Sequence, residues 1–254
     1  MSDEVVTERA GNILIITLNR PEVRNAVNEV AAHAVAAAAD LLDGDPSLVL
    51  GIITGAGGTF CAGMDLKAFL NGEIPRIEGR GLAGIAITPP RKPMIAAVEG
   101  HAVAGGCEIA LACDMIVAAR DASFGLPEVK RSLVAGGGGL LRLPERIPAG
   151  IAMEYALTGR SFGAEDAARW GLVNRLTEPG EALTGARELA AEIAANGPLA
   201  VQASKEVLVS ARDWSGTDRW QRQREVADPV LFSADAKEGA RAFAEKRAPV
   251  WRGR

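Results

Sequence analysis

Histidine is nearly missing from this chain. Its 254 residues include only two, His33 and His101, which excludes a metal site built on several histidines; no metal is expected. Cysteine is scarce as well. Cys61, Cys107 and Cys113 are odd in number and lack the paired spacing of a zinc site. They read as buried thiols of a reduced, cytoplasmic protein. No long basic run exists and the net charge is −4, so the electrostatic footprint of a nucleic-acid binder is absent. No stretch approaches the roughly 20 apolar residues that span a bilayer. The acidic start, Met1-Ser2-Asp3-Glu4, leads into no apolar segment of signal-peptide type.

What the chain does have is apolar content, 48% of its residues. That suffices for one large domain, or a domain with a small appendage. The β-rich runs 5–9 and 13–18, separated by Ala10-Gly11-Asn12, read as a hairpin. The alanine-dense segment 28–42 reads as a helix with Gly44 as its stop signal. Residues 48–54 form a short buried strand ending at a glycine-rich turn. The unit then recurs as a strand at 94–98, a short helix at 105–112 and a strand at 115–118. Strands alternating with helices predict an α/β protein with a parallel sheet. Segment 71–93, punctuated by Gly and Pro, could be a mobile lid or a short helix between loops. Beyond residue 150 the pattern predicts helices at 151–157, 164–170, 180–196 and 199–211, with a strand at 172–176. A helical tail at 217–250 should break at Pro229. The expected division is an α/β core over 1–199 and a helical part over 200–254.

Two glutamates stand out against this background. Glu108 follows Ala104-Gly105-Gly106-Cys107, and Glu128 follows Phe124-Gly125-Leu126-Pro127. A carboxylate in an apolar stretch is costly unless it is partnered or used. Together they offer an acid and a base for one water and one carbon. A glycine pair opening a helix exposes N–H groups that suit a developing oxyanion; a plain tight turn against a sheet explains the glycines equally well. The loop Phe60-Cys61-Ala62-Gly63-Met64-Asp65-Leu66 follows a strand, where open α/β sheets place ligands. It could supply a second N–H near Gly63-Met64, or be an ordinary turn with Asp65 as a helix cap. The run Gly136 to Gly139 is either a flexible loop or a close approach of backbone to a ligand or another backbone. Asp114 reads as a helix-end or salt-bridge residue, and His101 as either core or site edge.

In order along the chain, these blocks resemble the crotonase (enoyl-CoA hydratase/isomerase) superfamily. The matching blocks include Asn19-Arg20-Pro21 with Asn25-Ala26, the 60–66 loop, Ala104 to Glu108, Cys113-Asp114, Phe124 to Glu128, Leu157-Thr158-Gly159-Arg160 and Gly171-Leu172-Val173-Asn174. Ala242-Phe243, followed after one residue by Glu245-Lys246-Arg247, closes the set. The resemblance implies a crotonase-like spiral of repeated ββα units, with a helical C-terminal part used in trimerisation. It implies an acyl-CoA thioester as substrate, coenzyme A being part of that substrate rather than a cofactor, and a homotrimer or a hexamer of two trimers. It places the thioester oxyanion hole at the N–H groups of Met64 and Gly105 and the hydratase carboxylates at Glu108 and Glu128. Ala62, Asp65 and Leu66 fall at the adenine pocket, and Phe243 and Lys246 at positions that reach the CoA of a neighbouring subunit. Retention of both glutamates favours an enoyl-CoA hydratase over relatives that lack one. Two departures bear on substrate. Ser132 to Gly139 lacks a proline common in hydratases, and Leu140 to Pro148 looks closer to the carnitinyl-CoA dehydratase branch. With aromatics at 4%, an aromatic cage for that branch's quaternary ammonium is not expected. An isomerase, or a non-catalytic acyl-CoA binder on the same fold, is the remaining alternative.

Overall fold

The computed structural model describes residues 4–254; the acidic start at residues 1–3 lies outside them. β1 (Val5–Ala10) and β2 (Ile13–Leu18) pair antiparallel with Ala10 opposite Ile13. Gly11 turns the chain with φ +63°, which glycine adopts without steric cost. α1 (Glu29–Gly44) follows, and Asn28 caps it by accepting the Ala31 N–H. Ala31, Val35, Ala38 and Leu42 put one buried stripe of that helix against the sheet.

Three turns of chain then repeat one plan. β3 (Leu50–Gly55) enters the sheet, Cys61 bridges to Ala102, and α2 (Leu66–Leu70) follows. After the hairpin of β4 (Arg76–Ile77) and β5 (Gly81–Leu82), the second turn comprises β6 (Met94–Val98), β7 (His101–Val103) and α3 (Gly105–Ala112). The third has β8 (Met115–Ala119) and β9 (Ser123–Gly125), then a 3-10 turn at Pro127–Arg131 and α4 (Gly139–Arg146). The chain finishes with α5 (Ala149–Thr158), β10 (Ser161–Gly163), α6 (Ala164–Arg169), β11 (Arg175–Thr177), α7 (Ala182–Ala194), α8 (Pro198–Ser210), α9 (Arg219–Leu231) and α10 (Ala234–Glu245). The first strand of each turn joins a six-stranded sheet of order β1-β2-β3-β6-β8-β11, parallel except for β1 against β2. β7 and β9 join a small sheet of order β10-β9-β7. This is the spiral of ββα turns that the resemblance implied.

The strands are buried on both faces, as parallel strands under helices must be. Ile52, Ile95, Ala97 and Val117 meet Ala182, Ala186 and Ala190 of α7 on one side. Ile53, Ala96, Val98 and Ile116 face the main core with α1 and α3 on the other. Alternation with period two sends neighbouring residues to opposite layers, and each fully buried Ile contributes about 1.5–3 kcal/mol. Lys205 of α8 anchors the later helices to this core by an ion pair with Asp114 at 2.7 Å. Asp114 is thus the salt-bridge residue expected, and its carboxylate also accepts the Met94 N–H.

Several local expectations needed correction. Segment 71–93 contains a short hairpin rather than a helix: Gly79, Gly81 and Gly84 all take positive φ, and Arg80 pairs with Asp40 of α1. The strand expected at 172–176 begins only at Arg175, because Leu172 and Val173 fold back to donate to the Ala167 carbonyl. The tail does not break at Pro229. α9 runs two residues past it, keeping Pro229 inside the helix without the bond its nitrogen cannot donate. The break comes at Ser233, which caps α10 by accepting the Ala236 N–H, and helix ends at Glu245 rather than 250. The strands β7, β9 and β10 are too short for period-two patterning to reveal.

Candidate active site

β3, β6 and β8 are neighbours in the sheet, so the segments leaving their carboxyl ends converge. Those segments carry Met64, Gly105 and Glu128. The approach is close enough to dictate glycines. Gly63 takes φ +98°, and a Cβ on it would lie 2.9 Å from the Gly105 nitrogen. A Cβ on Gly106 would collide with the Cys61 carbonyl, so only glycine lets α3 start against the 61–64 loop. A Cβ on Gly105 would sit 3.4 Å from the Met64 nitrogen. Neither the Met64 nor the Gly105 N–H has an acceptor among the described residues. Unengaged backbone donors at a buried position are rare unless a ligand completes them. Ala104, just before α3, holds φ 51° and ψ −128°, a conformation that costs a non-glycine residue about 1–3 kcal/mol. It is strain at the point where the donors are aimed.

Glu108 lies one turn into α3 and is 4% exposed. Its Oε1 accepts two backbone N–H groups, Gly137 at 2.7 Å and Gly139 at 3.0 Å. The glycine run is therefore a clamp on a carboxylate, with backbone approaching a side chain. A Cβ on Gly137 would fall 2.6 Å from Glu108 Oε2. Burial pushes the Glu108 carboxyl above its ordinary value, opposed by those two donors and by the positive charge of Arg142. Arg142 is held in place by donating to the Ala86 carbonyl at 2.5 Å. Glu128 sits in the first turn after β9, and its Oε2 is buried with no hydrogen-bond partner. Burial first, and the Glu108 charge second, push its carboxyl up to about 7. Near neutral pH Glu128 is thus shared between its acid and carboxylate forms, beside a Glu108 clamped by two backbone donors.

All four residues line one cavity of about 440 Å³, together with Ala62 and Leu66. Leu82, Ile74, Leu133 and Val134 supply apolar wall, and no aromatic ring among the described residues lines it. Asp65 does not line the cavity. It caps α2 through the Lys67 and Ala68 N–H groups and pairs with Arg20 at 3.1 Å. Phe243 is 88% exposed on α10, and neither it nor Lys246 reaches this cavity within the chain. His101 is exposed and hydrogen-bonds Ser123. Burial pushes the Cys107 thiol beside Glu108 up to about 12, so no thiolate nucleophile exists near neutral pH. Gly137, Gly139 and Arg142 had no assigned role in the sequence reading. The four-glycine run was the signal, but nothing local says which side chain it would clamp.

Two unengaged N–H donors beside two carboxyl groups in unlike surroundings can polarise a carbonyl and move a proton and a water across an adjacent double bond. Known proteins carry the same arrangement of chain. The sequence profile described as enoyl-CoA hydratase/isomerase matches residues 8–254. The carnitinyl-CoA dehydratase of Proteus mirabilis (strain HI4320) is 43% identical over 262 aligned positions, covering 100% of both chains. The crystal structure of enoyl-CoA hydratase from Mycobacterium tuberculosis H37Rv is 59% identical, superposes with a TM-score of 0.98 and covers 100% of both chains. That of carnitinyl-CoA hydratase from Mycobacterium avium is 45% identical with a TM-score of 0.79, again over 100% of both. With nearly its whole length matched, this chain belongs to the enoyl-CoA hydratase/isomerase family.

Proposed function

We propose that this protein is an enoyl-CoA hydratase, adding water reversibly across the C2–C3 double bond of a trans-2-enoyl-CoA to give a 3-hydroxyacyl-CoA. The thioester oxygen sits between the Met64 and Gly105 N–H groups, which makes C3 electrophilic and stabilises the enolate-like transition state. Glu108 in its carboxylate form, hydrogen-bonded by two backbone donors, takes a proton from the water whose oxygen bonds to C3. Glu128 in its acid form delivers a proton to C2. The reverse reaction retraces these transfers. The observation that carries the reading is the unlike pair: a doubly hydrogen-bonded Glu108 and a Glu128 whose buried Oε2 has no partner, in one cavity with two free N–H groups.

Coenzyme A enters as part of the substrate, and the mechanism needs no separate cofactor. Ala62 and Leu66 are placed to meet its adenine, with Asp65 holding α2 in register. Arg24, Arg76 and Arg131 line the cavity, are exposed and have no carboxylate partner among the described residues, which suits a ligand bearing several phosphates. Phe243 and Lys246 lie far along the C-terminal part (200–254) and would complete the CoA site of a neighbouring subunit in a cytoplasmic trimer or hexamer. The second reading, dehydration of carnitinyl-CoA, is favoured by the names of the relatives. The cavity argues against it: three arginines line it, no aromatic ring among the described residues does, and its two carboxyl groups, Glu108 and Glu128, are taken up by the chemistry. The test is turnover of short-, medium- and long-chain enoyl-CoAs beside crotonobetainyl-CoA, read as loss of enoyl absorbance. Crotonyl-CoA should be hydrated faster than crotonobetainyl-CoA, and Glu108→Gln should lower turnover about 10²–10⁴-fold. Preference for crotonobetainyl-CoA would reverse the choice.

A further inference from the structure

We infer that Asn25 and Arg20 are positioning residues for the oxyanion hole, holding segment 24–27 as a backbone template that aims the Met64 N–H. This rests on the reading of Met64 and Gly105 as the donor pair. Asn25 is 1% exposed, and its side chain makes three hydrogen bonds. Its Oδ1 accepts the Arg20 N–H at 2.9 Å, and its Nδ2 donates to the Ala56 and Thr59 carbonyls at 2.8 and 2.6 Å. It stitches the loop after β2 to the loop after β3. Gly55 makes room for it, since a Cβ there would lie 2.7 Å from Asn25 Nδ2.

The backbone at this stitch is strained. Arg24 and Asn25 are consecutive non-glycine residues with φ 54° and 56°, which persist only where the surroundings over-determine them. The local bonds doing so are Arg24 N–H to the Pro21 carbonyl at 3.0 Å and Asn25 N–H to the Arg20 carbonyl at 2.8 Å. The strained turn lays segment 24–27 along segment 62–65. Ala62 donates to the Arg24 carbonyl at 3.0 Å, Val27 to the Gly63 carbonyl at 2.8 Å and Asp65 to the Val27 carbonyl at 2.9 Å. These bonds engage the backbone groups on either side of Met64. In an extended pairing, alternate N–H groups point to opposite sides, so the Met64 N–H is turned away from the template. Arg20 locks both segments by donating from Nη1 to the Ala26 carbonyl at 2.5 Å and to Asp65 Oδ2 at 3.1 Å. Asn25 and Arg20 themselves do not line the cavity; they act through Met64.

The test is Asn25→Gly, which keeps the left-handed backbone accessible and removes only the three side-chain bonds. Thr54→Val is the control. Thr54 is 6% exposed, donates to the Ala97 carbonyl at 2.9 Å and does not line the cavity. Three quantities are read on full-length wild type and both variants: melting temperature, kcat and KM for crotonyl-CoA, and the absorption maximum of a bound aryl-conjugated enoyl-CoA. That maximum moves to the red as its carbonyl is polarised. Mis-aiming a donor by about 1 Å costs on the order of 10²-fold in rate. Asn25→Gly should therefore lose about 10–10²-fold in kcat with KM little changed, and part of the red shift. Thr54→Val should lower the melting temperature alone. An Asn25→Gly protein that melts lower but keeps wild-type kcat and red shift overturns the inference and leaves Asn25 as structural glue. A wild type with the red shift but no hydration refutes the proposed reaction and leaves this inference standing. A wild type with no red shift removes the hole and the inference together.

Discussion

Replacing Glu128 with glutamine should change how stability responds to pH. Burial and the Glu108 charge raise the Glu128 carboxyl from an ordinary 4.5 to about 7. Between those values the folded protein keeps a proton that the unfolded chain releases. Stability therefore falls as pH rises through this window, and the contribution lost is complete above about 7. At about 1.4 kcal/mol per pKa unit, this one group accounts for up to about 3 kcal/mol between acid and neutral pH, reduced by the solvent that screens its half-buried carboxyl. Glutamine cannot titrate, so Glu128→Gln should lack this slope. Urea unfolding of both proteins at several values between about pH 4 and 8, at one protein concentration, isolates the group. Titrations common to both, including the lowered Asp45 and Glu238 carboxyls, cancel in the difference. The variant should gain on wild type as pH rises, by up to about 3 kcal/mol over the window, with an unchanged dependence on urea. Parallel stability curves would refute the reasoning, because Glu128 would then titrate alike in both states. The same variant should lose most hydration activity, so stability and function would move in opposite directions at one residue.

Other perturbations test separate parts of the account. Gly137→Ala should cut kcat by roughly tenfold or more, because its Cβ would fall 2.6 Å from Glu108 Oε2. Gly136→Ala meets only the Val134 carbonyl at 3.8 Å and should leave turnover near wild type; equal effects in steady-state assays would deny the clamp. Arg76→Ala and Arg131→Ala should each raise KM for enoyl-CoA more than they lower kcat, with a smaller penalty at high salt. A KM independent of both would remove these arginines from phosphate binding. Light scattering should give a trimer or hexamer, and Phe243→Asp should weaken it; a fully active monomer would contradict the shared-site arrangement.

Periodicity exposed the long elements well. The hairpin, α1, the buried strands and α3 all appear where apolar spacing and glycine stops put them, and both glutamates are conspicuous as charges in apolar runs. Three-residue strands such as β7, β9 and β10 carry no period, so the small sheet was hidden. Nor could the sequence show which backbone groups clamp Glu108. The glycines at 137 and 139 reach Glu108 across about 30 positions of chain, and only the folded spiral pairs them. Pro229 misled because a proline costs a helix one hydrogen bond without obliging it to end there. Asn25 and Arg20 stood in a recognisable block, yet their partners at 56, 59 and 65 are set by tertiary approach.

The central claim is that Met64 and Gly105 hold a thioester oxygen for hydration, and Gly105→Val tests it most directly. Gly105 has no positive φ, and its Cβ would press mainly on the flexible end of Leu82 at 2.9 Å, so the variant should fold. The added branches would occupy the gap beside the Met64 nitrogen and keep the oxygen out. Wild type should hydrate crotonyl-CoA, and Gly105→Val, with an unchanged circular dichroism spectrum, should be slower by about 10²–10³-fold. A folded Gly105→Val protein turning over crotonyl-CoA at the wild-type rate would contradict the account.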